Sequence, residues 1–182
     1  MIMIKVIYKV FWIWNFDKEE QWLNEMSAKG FQLRDVGFCR YTFEQGIPGE
    51  YIYRLELLDT FPRRYESRRY IDFVEGTGAE HIASLGKWVY FRKKAGAGGF
   101  DLFSDIDSRI KHLRRMLWLT GILSVLNLLN GLNSLHIGIT HNVRGNLIVG
   151  IFALTVDALF LYGLFALLKK VRKLRKEKIL HE

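Results

Sequence analysis

The chain has 182 residues, 49% of them hydrophobic, and a formal charge of +8; this leaves room for one small soluble domain and a short membrane segment, and not for a third unit. Seven basic residues, Lys169, Lys170, Arg172, Lys173, Arg175, Lys176 and Lys178, crowd the end of the chain, so the charge points to anionic lipid headgroups and argues against a nucleic-acid patch. Cys39 is the single cysteine, which excludes an intramolecular disulfide and a paired-cysteine metal or redox motif.

The N-terminal run MIMIKVIYKVFWIW is apolar, but Lys5 and Lys9 interrupt it and no small-residue cleavage site follows, so it reads as a strand and not as a signal peptide. Val6, Tyr8, Val10, Trp12 and Trp14 fall on one face and Ile7, Phe11 and Ile13 on the other. Apolar residues on both faces predict a central strand over 5–14. Asp17 with Glu20 three residues on has the pattern of a capping box, and Trp22, Leu23 and Met26 form the apolar stripe of the helix it starts. Gly30 is placed to end that helix.

Two β-rich runs, Phe31 to Phe43 and Glu50 to Leu58, flank the turn residues Glu44 to Gly49 and read as a hairpin, with a bulge suggested at Gly37. A second helix around Tyr65 to Glu75 ends near Gly76 and Gly78, and a last strand covers Ala79 to Lys93. The order β, α, β, β, α, β is the split pattern of a ferredoxin-like α+β domain. An internal repeat supports two halves: a shift of 48 puts Trp22 on Tyr70, Leu23 on Ile71, Met26 on Val74, Gly30 on Gly78 and Phe43 on Phe91.

Residues 1–94 are therefore expected to form a cytoplasmic ferredoxin-like domain. Residues 95–115 read as a linker and juxtamembrane helix: Ala95 to Gly99 are glycine-rich, Asp101 can cap, and Leu102, Phe103, Ile106, Ile110 and Leu113 recur at helical spacing. Residues 116–168 hold two apolar runs, Met116 to Ile139 and Leu147 to Leu168, without Lys or Arg, joined by a polar turn. About 20 such residues cross the hydrocarbon core, so these predict a transmembrane helical hairpin. Residues 169–182 are a basic tail. Because Lys and Arg flank the hairpin on one side, both termini are expected in the cytoplasm and the multi-pass chain in the cell membrane.

Asp157 lies near the middle of the second run, where an acidic group costs about 2.5–3.5 kcal/mol. Aligned midpoints put it at the depth of Asn127, with Asn130 a turn away and Ser124 in the same seam of small and polar residues. Dense aromatics, among them Trp12, Trp14, Tyr51, Tyr53, Trp88 and Tyr90, are expected on an open sheet face that binds a partner. The basic glycine-aromatic signature of RNA-recognition domains is absent, so no nucleic acid is expected. The histidines are scattered without metal-ligand spacing, Cys39 has no base beside it, and no paired acid and base stand out. No cofactor, metal or catalytic residue is assigned.

The run EQWLNEMSAKG from Glu20 to Gly30, then Leu33, then Tyr41 to Glu44, then Tyr51, Tyr53, Arg54 and Leu55 resembles the bacterial family of unknown function 2812. Gly78, Trp88, Tyr90, Phe91, Arg92 and Lys93 fit the end of that domain, although Ala79 stands where the family usually shows tryptophan. The resemblance implies a domain joined to transmembrane helices and, since its genes often neighbour PadR-type repressors, a part in a regulatory or stress-response unit. The expected function is a non-enzymatic sensor or interaction module that takes a protein partner, a second copy or a small ligand. The alternative is an accessory subunit of a membrane complex that docks through its helices.

Overall fold

A computed structural model of the chain describes residues 4–102 and 106–181. Phe103, part of the expected juxtamembrane pattern, and Glu182 of the tail lie outside the described residues.

Two tight turns reshape the expected sheet. Residues 38–39 and 86–87 each interrupt what the sequence reads as one strand, so the runs over 31–43 and 79–93 become hairpins. Cys39 holds φ 54° in the first turn and Gly86 holds φ 62° in the second, the left-handed geometry that short hairpin turns require. The order is β1 (Ile4–Tyr8), α1 (Phe16–Ala28), β2 (Phe31–Gly37), β3 (Arg40–Gln45), β4 (Tyr51–Leu57), α2 (Tyr65–Glu75), β5 (Ala79–Leu85) and β6 (Trp88–Lys94). The strands form two three-stranded antiparallel sheets, β1-β3-β2 and β4-β6-β5. The class is α+β, but two βαββ units replace the expected single sheet of a βαββαβ ferredoxin-like domain.

The shift of 48 relates the units in detail. It carries β2 onto β5, and Gly30 at φ 80° onto Gly78 at φ 85°. It also carries the register break between Leu33 and Asp35 onto that between His81 and Ala83. The bulge is therefore here and not at Gly37, which closes β2.

Strand β1 is shorter than expected and lies at a sheet edge, paired with β3 alone. Ile4, Val6 and Tyr8 remain exposed, so it lacks the two-sided burial of a central strand. A 3-10 turn at Ile13–Asn15 leads directly into α1. That helix starts at Phe16 with Asn15 at the cap position and no side-chain capping bond, so Asp17 sits in the first turn and does not cap it.

Helix α1 has two working faces. Glu19, Leu23, Met26 and Ser27 are buried. Glu20, Asn24 and Ser27 cover the outer edge of β4. Ser27 Oγ donates to the Tyr51 carbonyl at 2.6 Å, and Glu20 Oε2 accepts from the Leu55 N–H at 3.2 Å. Between them Asn24 Nδ2 donates to the Tyr53 carbonyl at 3.1 Å while its Oδ1 accepts from the Tyr53 N–H at 2.8 Å. The backbone groups an edge strand would leave open are thus satisfied by a helix of the other repeat. Positions related by the same shift in α2 are Arg68, Asp72 and Glu75, all exposed.

This crossing lets both repeats share one core, in which Leu23, Met26, Leu33 and Phe43 meet Tyr53, Leu55 and Tyr90. Ile71, Val74, Val89 and Phe91 form a second cluster with Leu58 and Phe100. Each large side chain withdrawn from water contributes about 1.5–3 kcal/mol.

The described residues from Ile106 onward form a second compact unit. Helix α3 (Ile106–Thr140) runs unbroken from the juxtamembrane stretch through the first apolar run, and α4 (Arg144–His181) carries the second run into the basic tail. Of the two forms open to the juxtamembrane stretch, a helix lying at the interface or one feeding into the first span, the described residues show the second. Only His141, Asn142 and Val143 connect the two, with Asn142 at φ 54°. Both helices are long and apolar enough to cross a membrane. They touch along small residues: a Cβ added at Gly131 would stand 3.1 Å from Ala153 Cβ, and one at Gly150 would stand 2.5 Å from Leu135 Cγ. Their other faces expose Trp118, Ile122, Leu129, Ile148, Phe152 and Phe165.

Candidate ligand-binding site

The first turn of α1, the start of β3 and the middle of β6 bring Glu19, Tyr41 and Tyr90 together. All three are buried. Tyr41 Oη and Tyr90 Oη each donate to Glu19 Oε1, both at 2.7 Å. Burial pushes the Glu19 carboxyl above the usual carboxylate range, and the two phenolic hydrogen bonds offset part of that rise. Burial, and next the charge of Glu19, push both phenols well above their ordinary value, which keeps them protonated as donors.

This triad lines a cavity of about 210 Å³. Phe11, Trp12, Ile13, Phe16, Leu85 and Trp88 wall it, with Phe38, Cys39 and Lys9 completing the lining. The walls are held by ring contacts: Phe16 stacks on Trp88 with centroids 6.1 Å apart, Trp12 stacks on the buried Trp14 at 5.2 Å, and Phe11 meets Tyr41 edge-on at 6.1 Å. Lys9 N–H donates to the Cys39 carbonyl at 3.0 Å. Its ammonium rests over the rings of Trp22 and Phe11, at 4.5 and 4.9 Å from their centroids. The lining combines aromatic side chains with a few convergent polar groups, the arrangement of a small-molecule site on a scale that suits a small head group.

The aromatic residues named from the sequence do not share one open face. Trp14, Tyr53 and Tyr90 are core residues, with 2%, 0% and 2% of their surface exposed, while Trp12 is 41% exposed. Tyr53 Oη donates to Gln32 Oε1 and accepts from the Leu33 N–H at 2.9 Å. Tyr51 lies under the Arg92 guanidinium, 4.2 Å from its ring centroid. The expected face is consumed by the core that the two repeats share, in which Tyr53 and Tyr90 pack with Leu23 and Met26 of α1. Of the six residues, Trp12, Trp88 and Tyr90 meet at the cavity.

Glu19 was not singled out by the sequence, although a signal was present: it stands four and seven residues before Leu23 and Met26, on the apolar stripe of α1. A carboxylate on such a stripe is buried and has to be hydrogen-bonded.

In the hairpin, Ser124 Oγ donates to Asp157 Oδ1 at 2.7 Å, and both residues are buried. Asn127 Nδ2 donates to the Ala153 carbonyl at 2.7 Å. Asp157 is thus paired one turn away from Asn127, the level expected from the midpoints, and Asn130 is exposed. No group of three or more His, Cys, Asp or Glu side chains suited to a metal ion occurs among the described residues.

Fold and site together define a small α+β domain with an aromatic cavity, followed by two long apolar helices. The chain belongs to the family described as Protein of unknown function (DUF2812), whose model matches residues 15–125, more than half of the chain. That match begins just before α1 and runs past Lys93, where the sequence resemblance ends, well into α3. No curated protein and no solved structure matches the chain.

Proposed function

We propose that this chain is a membrane-anchored, non-enzymatic sensor, which binds a small ligand in the Glu19 cavity and reports it to a regulatory or stress-response unit. The cavity is the observation that carries this reading. A buried carboxylate held by two phenols beside aromatic side chains fits recognition of a small ligand.

The anchor is the hairpin in the cell membrane. In water the exposed Trp118, Ile122, Leu129, Phe152 and Phe165 would form an apolar patch far larger than soluble monomers carry. The basic residues before Met116 and after Leu168 favour cytoplasmic termini, with the tail at the anionic inner leaflet. Docking of the helices into a larger complex has less support, because Ser124 already satisfies Asp157 inside the hairpin. A protein partner, or a second copy, has a separate point of attachment in the exposed edge strand β1.

The test is thermal unfolding of the full chain in detergent with pooled small metabolites. A ligand bound to the folded state raises the unfolding temperature of the soluble unit. That rise should occur in the wild type and vanish in Trp88→Ala; equal responses in the two proteins would remove the cavity from the account.

A further inference from the structure

The charge balance inside the cavity narrows the class of ligand. Glu19 has 8% of its surface exposed. Its Oε1 already accepts two hydrogen bonds. Its Oε2 accepts none among the described residues, and the carboxyl forms no ion pair there. Burying a carboxylate without a cation is strongly unfavourable. Lys9 could supply one, yet its ammonium sits over Trp22 and Phe11.

We propose that the cavity takes a small organic cation, an amine or quaternary ammonium head group that meets Glu19 and packs against the aromatic lining residues Trp12, Phe16 and Trp88. This rests on the reading of the cavity as a ligand site and adds the chemistry of the occupant. Aromatic rings attract a desolvated cation through the ring quadrupole, and Glu19, once ionised, adds an opposite charge. A bare metal ion lacks partners here, since no second carboxylate or histidine lines the chamber. An anion would face Glu19, and a neutral apolar ligand would leave it unpaired. Tyr41 and Tyr90 are the ionisable groups bonded to Glu19, and Cys39 and Lys9 are the other ionisable residues of the cavity lining. Binding of a cation should accordingly strengthen as pH rises and Glu19 loses its proton.

The experiment is a tryptophan-fluorescence titration of the full chain in detergent, since Trp12 and Trp88 line the chamber. The probes are choline and its uncharged isostere, in which a tert-butyl group replaces the trimethylammonium, followed by benzylamine. The expected result is saturable binding of choline or benzylamine, at least about tenfold tighter than the isostere. Glu19→Gln, which keeps an oxygen for both phenols, should erase that preference while the chain unfolds no earlier than wild type. If the isostere binds as tightly as choline, or Glu19→Gln leaves the preference intact, the site stands but the cation assignment falls. If neither cation nor isostere binds, the cation assignment and the cavity reading both fall.

Discussion

Asn24 holds Tyr53 by both of its backbone groups, accepting from its N–H at 2.8 Å and donating to its carbonyl at 3.1 Å. One amide side chain does for β4 what a neighbouring strand would do, and it ties α1 of the first repeat to the second. The helix stretch that gives the sequence its family resemblance therefore has a structural task in the fold, and Glu19, one turn before Leu23, lines the cavity from that same helix.

Asn24→Ala removes both bonds at once and opens the edge of β4 at Tyr53, between the contacts of Ser27 and Glu20. It should destabilise the soluble unit by about 1–3 kcal/mol. Denaturant unfolding followed by tryptophan fluorescence measures this, and a change below about 0.5 kcal/mol would show that water replaces the amide without loss.

Glu19 makes stability depend on pH. Its carboxyl titrates above the ordinary range in the folded chain, so the stability linked to its proton is fully present below the unfolded value and is lost as pH rises through the folded one. The wild type should weaken relative to Glu19→Gln from about pH 4.5 upward. Unfolding midpoints of both proteins between acid and neutral pH give the difference. A gap that stays constant, or narrows as pH rises, contradicts the buried state of the carboxyl.

The hairpin depends on close approach at Gly150. A methyl group there would meet Leu135 at 2.5 Å, whereas one at Gly121 would meet nothing within 4 Å. Gly150→Ala should loosen the helix pair at a cost of about 1–3 kcal/mol, and Gly121→Ala should leave it intact. Limited proteolysis across the His141–Val143 turn, with the full chain in detergent, distinguishes the two variants.

Within the same hairpin, Ser124→Ala removes the donor to Asp157. The resulting unpaired carboxyl should weaken the helix pair by about 1–2 kcal/mol, and the effect should disappear when Asp157 is already replaced by Ala. Additive losses in the double variant would mean that the two groups act separately.

Much of this architecture was legible as pattern. Two apolar runs without Lys or Arg read directly as two long helices, because a bilayer-length apolar stretch has few other uses. The repeat was legible because the Leu23 and Ile71 stripes and the Gly30 and Gly78 ends keep one offset. The split of each long strand was not, since Cys39 holds a left-handed turn with no glycine to announce it, and Gly86 lies inside a run whose alternation continues past it. Missing these turns turned two βαββ units into one ferredoxin-like sheet. The open aromatic face failed for a related reason: strand alternation places Tyr53 and Tyr90 on faces but is silent about what packs with them, and Leu23 and Met26 of α1 do. Glu19 escaped notice because a charge in a first helical turn usually faces water.

Cys39 provides the most direct measurement, since the chain's single cysteine lines the cavity. Its rate of alkylation by iodoacetamide, in the full chain in detergent, should fall when a small-molecule extract of cells is added, and Trp88→Ala should abolish that protection. Equal rates with and without extract, in a wild-type chain shown to be folded, would contradict a ligand in the cavity.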